Sequence, residues 1–315
     1  MTPQPSLRFA PDLQEAVILQ EMRDRARGGD ASVRERYRRE ADAVYRRFDD
    51  PRLRRAAFVA LHARFFEELG CDRAIVEALE RLARPFEVVM VARAWHAGEE
   101  GADISPDHAT LGIRIMAERF GSPDLSRWLD HELGHVADML DPAFGYGHSV
   151  TPLPGRALGR LGGERFGLLW DCVVDGRTAR AGRAPLAERD ERCEAFRRLF
   201  PECPRDLAPL VVGRLWDGQR PTYDALVEYA RHWQALAAWA GVPALTAARG
   251  QEHSAPVLGA PCPLCGFPTY TWAAAIPEVV AARISIDFPG WTAALGACER
   301  CVEGYEVTVE IGGRL

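Results

Sequence analysis

Two histidines four positions apart, with a glutamate directly after the first, stand in the stretch LDHELGHVAD, residues 129–138. On an α-helix, positions i and i+4 differ by only about 40° of rotation, so His131 and His135 can aim both imidazoles at one point. Glu132 is turned about 100° from His131. It cannot easily join the same coordination sphere, but it can reach a water held there. Two neutral imidazoles, an open position and a nearby carboxylate are what a hydrolytic zinc ion needs. The ion lowers the pKa of its water towards about 7, and Glu132 as general base takes the proton. The bland alternative is a surface helix with two solvated histidines. Three features favour the metal: a helix cap upstream, two strands just before, and the small Gly134, which lets this helix pack closely.

A third ligand has three candidates. Asp171 and Asp175 lie four apart in GLLWDCVVD, an apolar run where unpaired carboxylates are costly. A metal on Asp171 would explain them; so would pairing with Arg177 or Arg180. Asp141 follows His135 by six residues but is also an ordinary helix-end residue before Pro142. Asp138 lies on nearly the same face as the histidines, where three ligands in line fit a tetrahedron poorly; it is better placed to orient a histidine.

Through His131-Glu132-Leu133-Gly134-His135 the chain resembles the zincin metallopeptidases. The resemblance implies an active-site helix beneath a small sheet whose edge strand receives substrate backbone, with ATLGIRIM (109–116) as that strand. In the gluzincin branch a later helix supplies Glu-x-x-x-Asp; the match here is Asp171 as ligand and Asp175 as its hydrogen-bonding partner, with Asp in place of Glu. The metzincin branch would use Asp141. However, Asp138 stands where that branch has a Gly, and no Met follows Met139. HELGHVADML also has a local similarity to the Mlc-titration-factor-like peptidases. In such enzymes a Tyr or His polarises the substrate carbonyl; Tyr146 and His148 are the candidates, with plain loop residues as the alternative. Tyr223, Glu228 and His232, read as one later helix, are weaker ones.

A second set lies near the C-terminus. Cys262/Cys265 and Cys298/Cys301 form two C-x2-C knuckles separated by 32 residues. Four thiolates make a closed tetrahedral cage, most often structural zinc. With ARISIDFPGW and YEVTVEI as strands, this resembles a rubredoxin-like zinc ribbon. From Pro256 onward there are three Arg against six acidic residues. That disfavours phosphate contacts and leaves a protein partner or a structural role.

The elements around these residues follow from spacing. PDLQEAVILQEMRDRA, SVRERYRREADAVYRRF and DPRLRRAAFVALHARFFEELG read as helices, the first capped by its Asp. The arginines of the second interleave with acids, as on a solvated face. FEVVMVARA and ATLGIRIM read as strands and GEEGADISPDH as a loop. Ser122 and Pro123 suit the start of the HELGH helix, which Pro142 stops. AFGYGHSVTPLPGRALGRLGGE reads as a long loop, and helices resume to residue 241. The reading is α+β, mainly helical: a helical N-terminal region (1–85), a zincin-like catalytic domain (86–248) and a zinc ribbon (256–315).

All 39 basic residues are Arg, and the net charge of −6 gives no general pull towards nucleic acid or anionic lipid. With no signal-like start and no apolar run of membrane length, the expectation is a cytoplasmic protein carrying one catalytic and one structural Zn2+. It would act on a peptide, protein or small amide. The competing functions are a DNA-associated SprT-like protease, which also joins HExxH to a ribbon, a non-catalytic chaperone or binding module, and a zincin fold recruited for non-peptide metabolism.

Overall fold

The computed structural model describes residues 6–82, 86–146, 154–218, 220–242, 259–288 and 291–312. Met1–Pro142 with Gly182–Leu186 form one compact unit; Ala143–Ala181 with Ala187–Leu315 form a second. The fold is mainly helical, with a single four-stranded sheet among the described residues.

The first unit starts with a strand that spacing alone did not reveal, β1 (Ser6–Phe9), followed by α1 (Pro11–Arg27), α2 (Ser32–Arg47), α3 (Pro51–Glu68) and α4 (Arg73–Leu79). Pro11 takes the first helical position of α1 and Ala10 the cap, so Asp12 lies in the first turn and does not cap it. In α3 the Asp-Pro start works as its chemistry suggests: the Asp50 carboxylate accepts from the Arg52 and Leu53 amides at 2.7 and 3.1 Å. No residue of α2 is buried, and Arg36 pairs with Glu68 and Arg64 with Glu40 across the α2–α3 hairpin.

Next come β2 (Val88–Arg93), β3 (Gly101–Ile104), β4 (Thr110–Ile115) and α5 (Leu125–Leu140). The sheet order is β1-β2-β4-β3, with β1, β2 and β4 parallel and β3 antiparallel to β4. Two expectations change here. GEEGADISPDH is not all loop, because Gly101–Ile104 pairs back on β4. Consequently ATLGIRIM is an interior strand, and β3 is the edge strand on that side. Val89, Val91, Leu111, Ile113 and Ile115 alternate into the core with Leu13, Phe65, Phe66, Ile75 and Leu129 from the helices.

The HELGH helix α5 begins two residues later than its Ser-Pro signal suggests. Ser122 Oγ accepts from the Asp124 amide at 3.2 Å and its carbonyl from Leu125, making a turn ahead of the helix. The helix is regular through Leu140, and Asp141 leaves it in extended conformation, as a residue before proline should.

The second unit comprises α6 (Pro154–Arg180), α7 (Arg189–Leu199), α8 (Ala208–Asp217), α9 (Tyr223–Arg231), α10 (Trp233–Ala240), α11 (Glu278–Asp287) and α12 (Glu299–Gly312). The expected long loop is thus helical from Pro154, with a break at Gly159. His232 (φ −127°, ψ 99°) separates α9 from α10, so Tyr223, Glu228 and His232 do not share one helix. Helices α6 and α8 touch at Gly176, where an added Cβ would sit 2.3 Å from the Trp216 carbonyl oxygen and 2.6 Å from its Cα. Gly176→Ala is therefore expected to lower stability by about 1–3 kcal/mol or more, because backbone cannot yield like a side chain. A thermal melt checks this, and an unchanged midpoint would contradict the close approach.

Among the described residues the cysteine-bearing segment has isolated bridges, Pro261 with Pro268 and Trp272 with Cys298, but not the expected ribbon strands. ARISIDFPGW lies largely in α11 and YEVTVEI in α12. Both sequences carry two periods. Val302, Tyr305 and Val309 repeat at helical spacing and pack on the local core, whereas Val307, which strand alternation would bury, is 56% exposed. That core comprises Cys262, Val280, Ile284, Trp291, Ala297, Cys298 and Val302, so two of its seven buried residues are candidate ligands. No described helix is long and apolar enough to cross a membrane.

Candidate metal centres

His131 is buried and His135 half-buried on α5. Their Nε2 atoms are 3.1 Å apart and their rings nearly perpendicular, at 82°. Two nitrogens at about 2.0–2.1 Å from one tetrahedral ion would be about 3.3 Å apart, so the pair has the separation a shared zinc needs. Glu132 lies against the start of the edge strand: a methyl group at Gly101 would stand 3.7 Å from its Oε2.

The other flank of α5 is clamped to residues 182–186. Arg127 donates to the Pro185 and Leu186 carbonyls at 2.9 and 3.0 Å. Asp130 takes Arg81 at 2.6 Å and Arg183 at 2.8 Å. These contacts hold down the turn that joins α6 to α7.

Asp171 and Asp175 project from one face of α6, as their spacing requires. Arg192 of α7 is a counter-ion to both. Arg192 Nη1 lies 2.9 Å from Asp171 Oδ2, and its Nε and Nη2 lie 2.7 and 2.6 Å from Asp175 Oδ2. Asp175 is fully buried and also accepts, at 3.4 Å, from the Ala187 amide. Burial works against the Arg192 charge, but the two carboxylates outweigh it and raise its pKa above the ordinary value. Nothing local in RDERCEAFRRL distinguishes Arg192 from a solvated arginine. The signal lay elsewhere, in two acids within an apolar run that needed a cation.

One donor atom each from His131, His135 and Asp171 lie within 4.8 Å of one another. Asp138 and Asp141 do not join that group among the described residues, although Asp138 is fully buried on α5. Two imidazole nitrogens and a carboxylate oxygen form a donor set suited to a divalent transition metal.

Tyr146 sits in an aromatic cluster with Trp170 and Tyr223. Its ring is 5.3 Å from Tyr223, edge-on, and 6.3 Å from Trp170, while Phe144 and Phe166 complete the cluster. Burial pushes the Tyr223 hydroxyl up. Glu228 and His232 face one another at 3.9 Å with substantial exposure. His148 lies outside the described residues.

The second group is Cys262, Cys265, Cys298 and Cys301, whose sulfurs also fall within 4.8 Å of one another. Cys265 Sγ is 3.9 Å from Cys298 Sγ, against about 3.8 Å for two sulfurs on one tetrahedral zinc. Gly266, at φ +71°, turns the first knuckle, and its amide donates to the Cys262 carbonyl at 2.7 Å. Burial works to raise the Cys262 thiol, but amide donors from Cys298, Cys265 and Leu264 outweigh it and hold its pKa down. Burial pushes Cys298 and Cys301 up. A cavity of about 330 Å³ opens beside Cys265 and Cys298, rimmed by Phe267, Thr271, Glu299 and Glu303. Elsewhere burial raises Cys172 and Cys193, and pushes Cys71 and Cys203 up to about 12, so these remain thiols.

No family model, curated protein or solved structure matches this chain.

Proposed function

We propose that this chain is a zinc-dependent hydrolase of amide bonds, a metallopeptidase or amidohydrolase of zincin type. The observation that carries this reading is the convergence of His131, His135 and Asp171 donors, with Glu132 on the helix of the two histidines and against an edge strand. His131 and His135 supply neutral imidazole ligands and Asp171 the third, anionic one. When bound, the zinc would supply Lewis acidity, acidifying a water and polarising the amide carbonyl. Glu132 takes the proton of that water and returns it to the leaving amine. Among the described residues β3 is an edge strand, along which substrate backbone could lie next to Glu132. Tyr146 is the candidate donor to the developing oxyanion.

The four-cysteine group is read as a structural zinc site. All four ligands are consumed, so it carries no chemistry. In a segment with so small a core, the metal would contribute much of the folding free energy. Its acidic surface suits a protein partner better than nucleic acid.

Purified protein should contain close to two zinc equivalents by elemental analysis and cleave a mixed library of unstructured peptides. Chelation should stop cleavage and added zinc restore it. Two zinc equivalents without cleavage of peptides or small amides would favour a binding module. One equivalent, with the cysteines protected from alkylation, would remove the helix site.

A further inference from the structure

Arg192 bridges the two acids on α6. The Arg192 side chain is 13% exposed, that of Asp171 28% and that of Asp175 not at all. Two carboxylates one helical turn apart repel each other, and burial magnifies the repulsion. Arg192 brings their summed charge from −2 to −1 and ties both carboxylates to one rigid group. The guanidinium does this as a planar fork, with Nη1 on Asp171 Oδ2 and Nε and Nη2 on Asp175 Oδ2. A point-charge ammonium could not serve both carboxylates in fixed directions.

Given the reading of His131, His135 and Asp171 as ligands, we propose that Arg192 is a positioning residue for that metal site. It holds Asp171 Oδ2 and so would keep this ligand in place before an ion arrives. Its positive charge opposes a divalent cation. Its removal, however, would take away the group that fixes Asp171 Oδ2 and ties it to the buried Asp175, and Asp171 would lose that constraint on its direction. Positioning therefore outweighs repulsion, and loss of Arg192 weakens metal binding.

The test is competition of stripped full-length protein against a chromophoric zinc chelator, with the four-cysteine site as internal reference. Arg192→Lys and Arg192→Gln are each expected to weaken the helix site about 10–100-fold and leave the reference unchanged. In an Asp171→Asn background, Arg192→Gln should cost little more, since Arg192 acts through Asp171. Equal or tighter binding in the Arg192 variants, or additive losses in the double variant, would overturn the proposal while leaving the metal-site reading intact. Wild-type protein binding zinc only at the cysteines would overturn both. A readout independent of variant folding is the side-chain 15N–1H signal of Arg192. It should be protected from exchange in stripped protein and stay so on zinc loading; loss of protection on loading would contradict a bond to Asp171 that persists beside the metal.

Discussion

Glu132→Gln is expected to leave both metals bound and reduce hydrolysis by about 10²–10⁴-fold, the range that a positioned acid–base group contributes. The amide has the size of the carboxylate and sits equally well on α5 beside Gly101, so neither the helix nor the histidine pair has reason to move. It cannot accept the proton of the attacking water. The loss should therefore fall on kcat, with KM nearly unchanged, because Glu132 is read as acting on the water and not on the substrate backbone. Steady-state cleavage of a peptide substrate with metal content measured on the same sample checks this. Parent-rate hydrolysis by a fully loaded variant would remove the proposed chemistry.

Asp171→Ala and Asp171→Asn are expected to lower zinc affinity at the helix site by orders of magnitude, with the four-cysteine metal retained. Asp171 is the carboxylate grouped with the two imidazoles, and a two-histidine site without it lacks its anionic ligand. Asp141→Ala should leave affinity unchanged and cost at most about 1 kcal/mol of stability. Its residue leaves the helix in extended conformation after a regular Leu140. Chelator competition ranks the variants, and the Asn form separates ligation from packing because it keeps the side chain's shape. If Asp141→Ala lost the metal and Asp171→Asn kept it, the third ligand would come from the end of α5.

The chemistry-bearing residues were legible because their spacing is short-range. His131 and His135 share a face on any helix, Asp171 and Asp175 do likewise, and each C-x2-C pair fits a knuckle. What spacing could not supply was the partner across the fold. Arg192 lies 21 residues from Asp171 in an arginine-rich helix, where its sequence context matches that of solvated neighbours. β1 escaped because Ser-Leu-Arg-Phe is only four residues long and becomes a strand by pairing with β2. β3 escaped because Gly-Ala-Asp-Ile has no strand composition of its own and is held by β4. The segments read as ribbon strands carry both periods, and tertiary burial of Val302 and Ile284 decided for helices.

The most direct test of the central claim is a crystal structure with anomalous diffraction recorded on both sides of the zinc edge. Two zinc peaks are predicted. One should lie about 2.0–2.2 Å from Nε2 of His131, Nε2 of His135 and one oxygen of Asp171, and the other about 2.3 Å from the four cysteine sulfurs. A single peak at the cysteines, with the Asp171 carboxylate bound to Arg192 and the two histidines hydrogen-bonded to each other, would contradict the account.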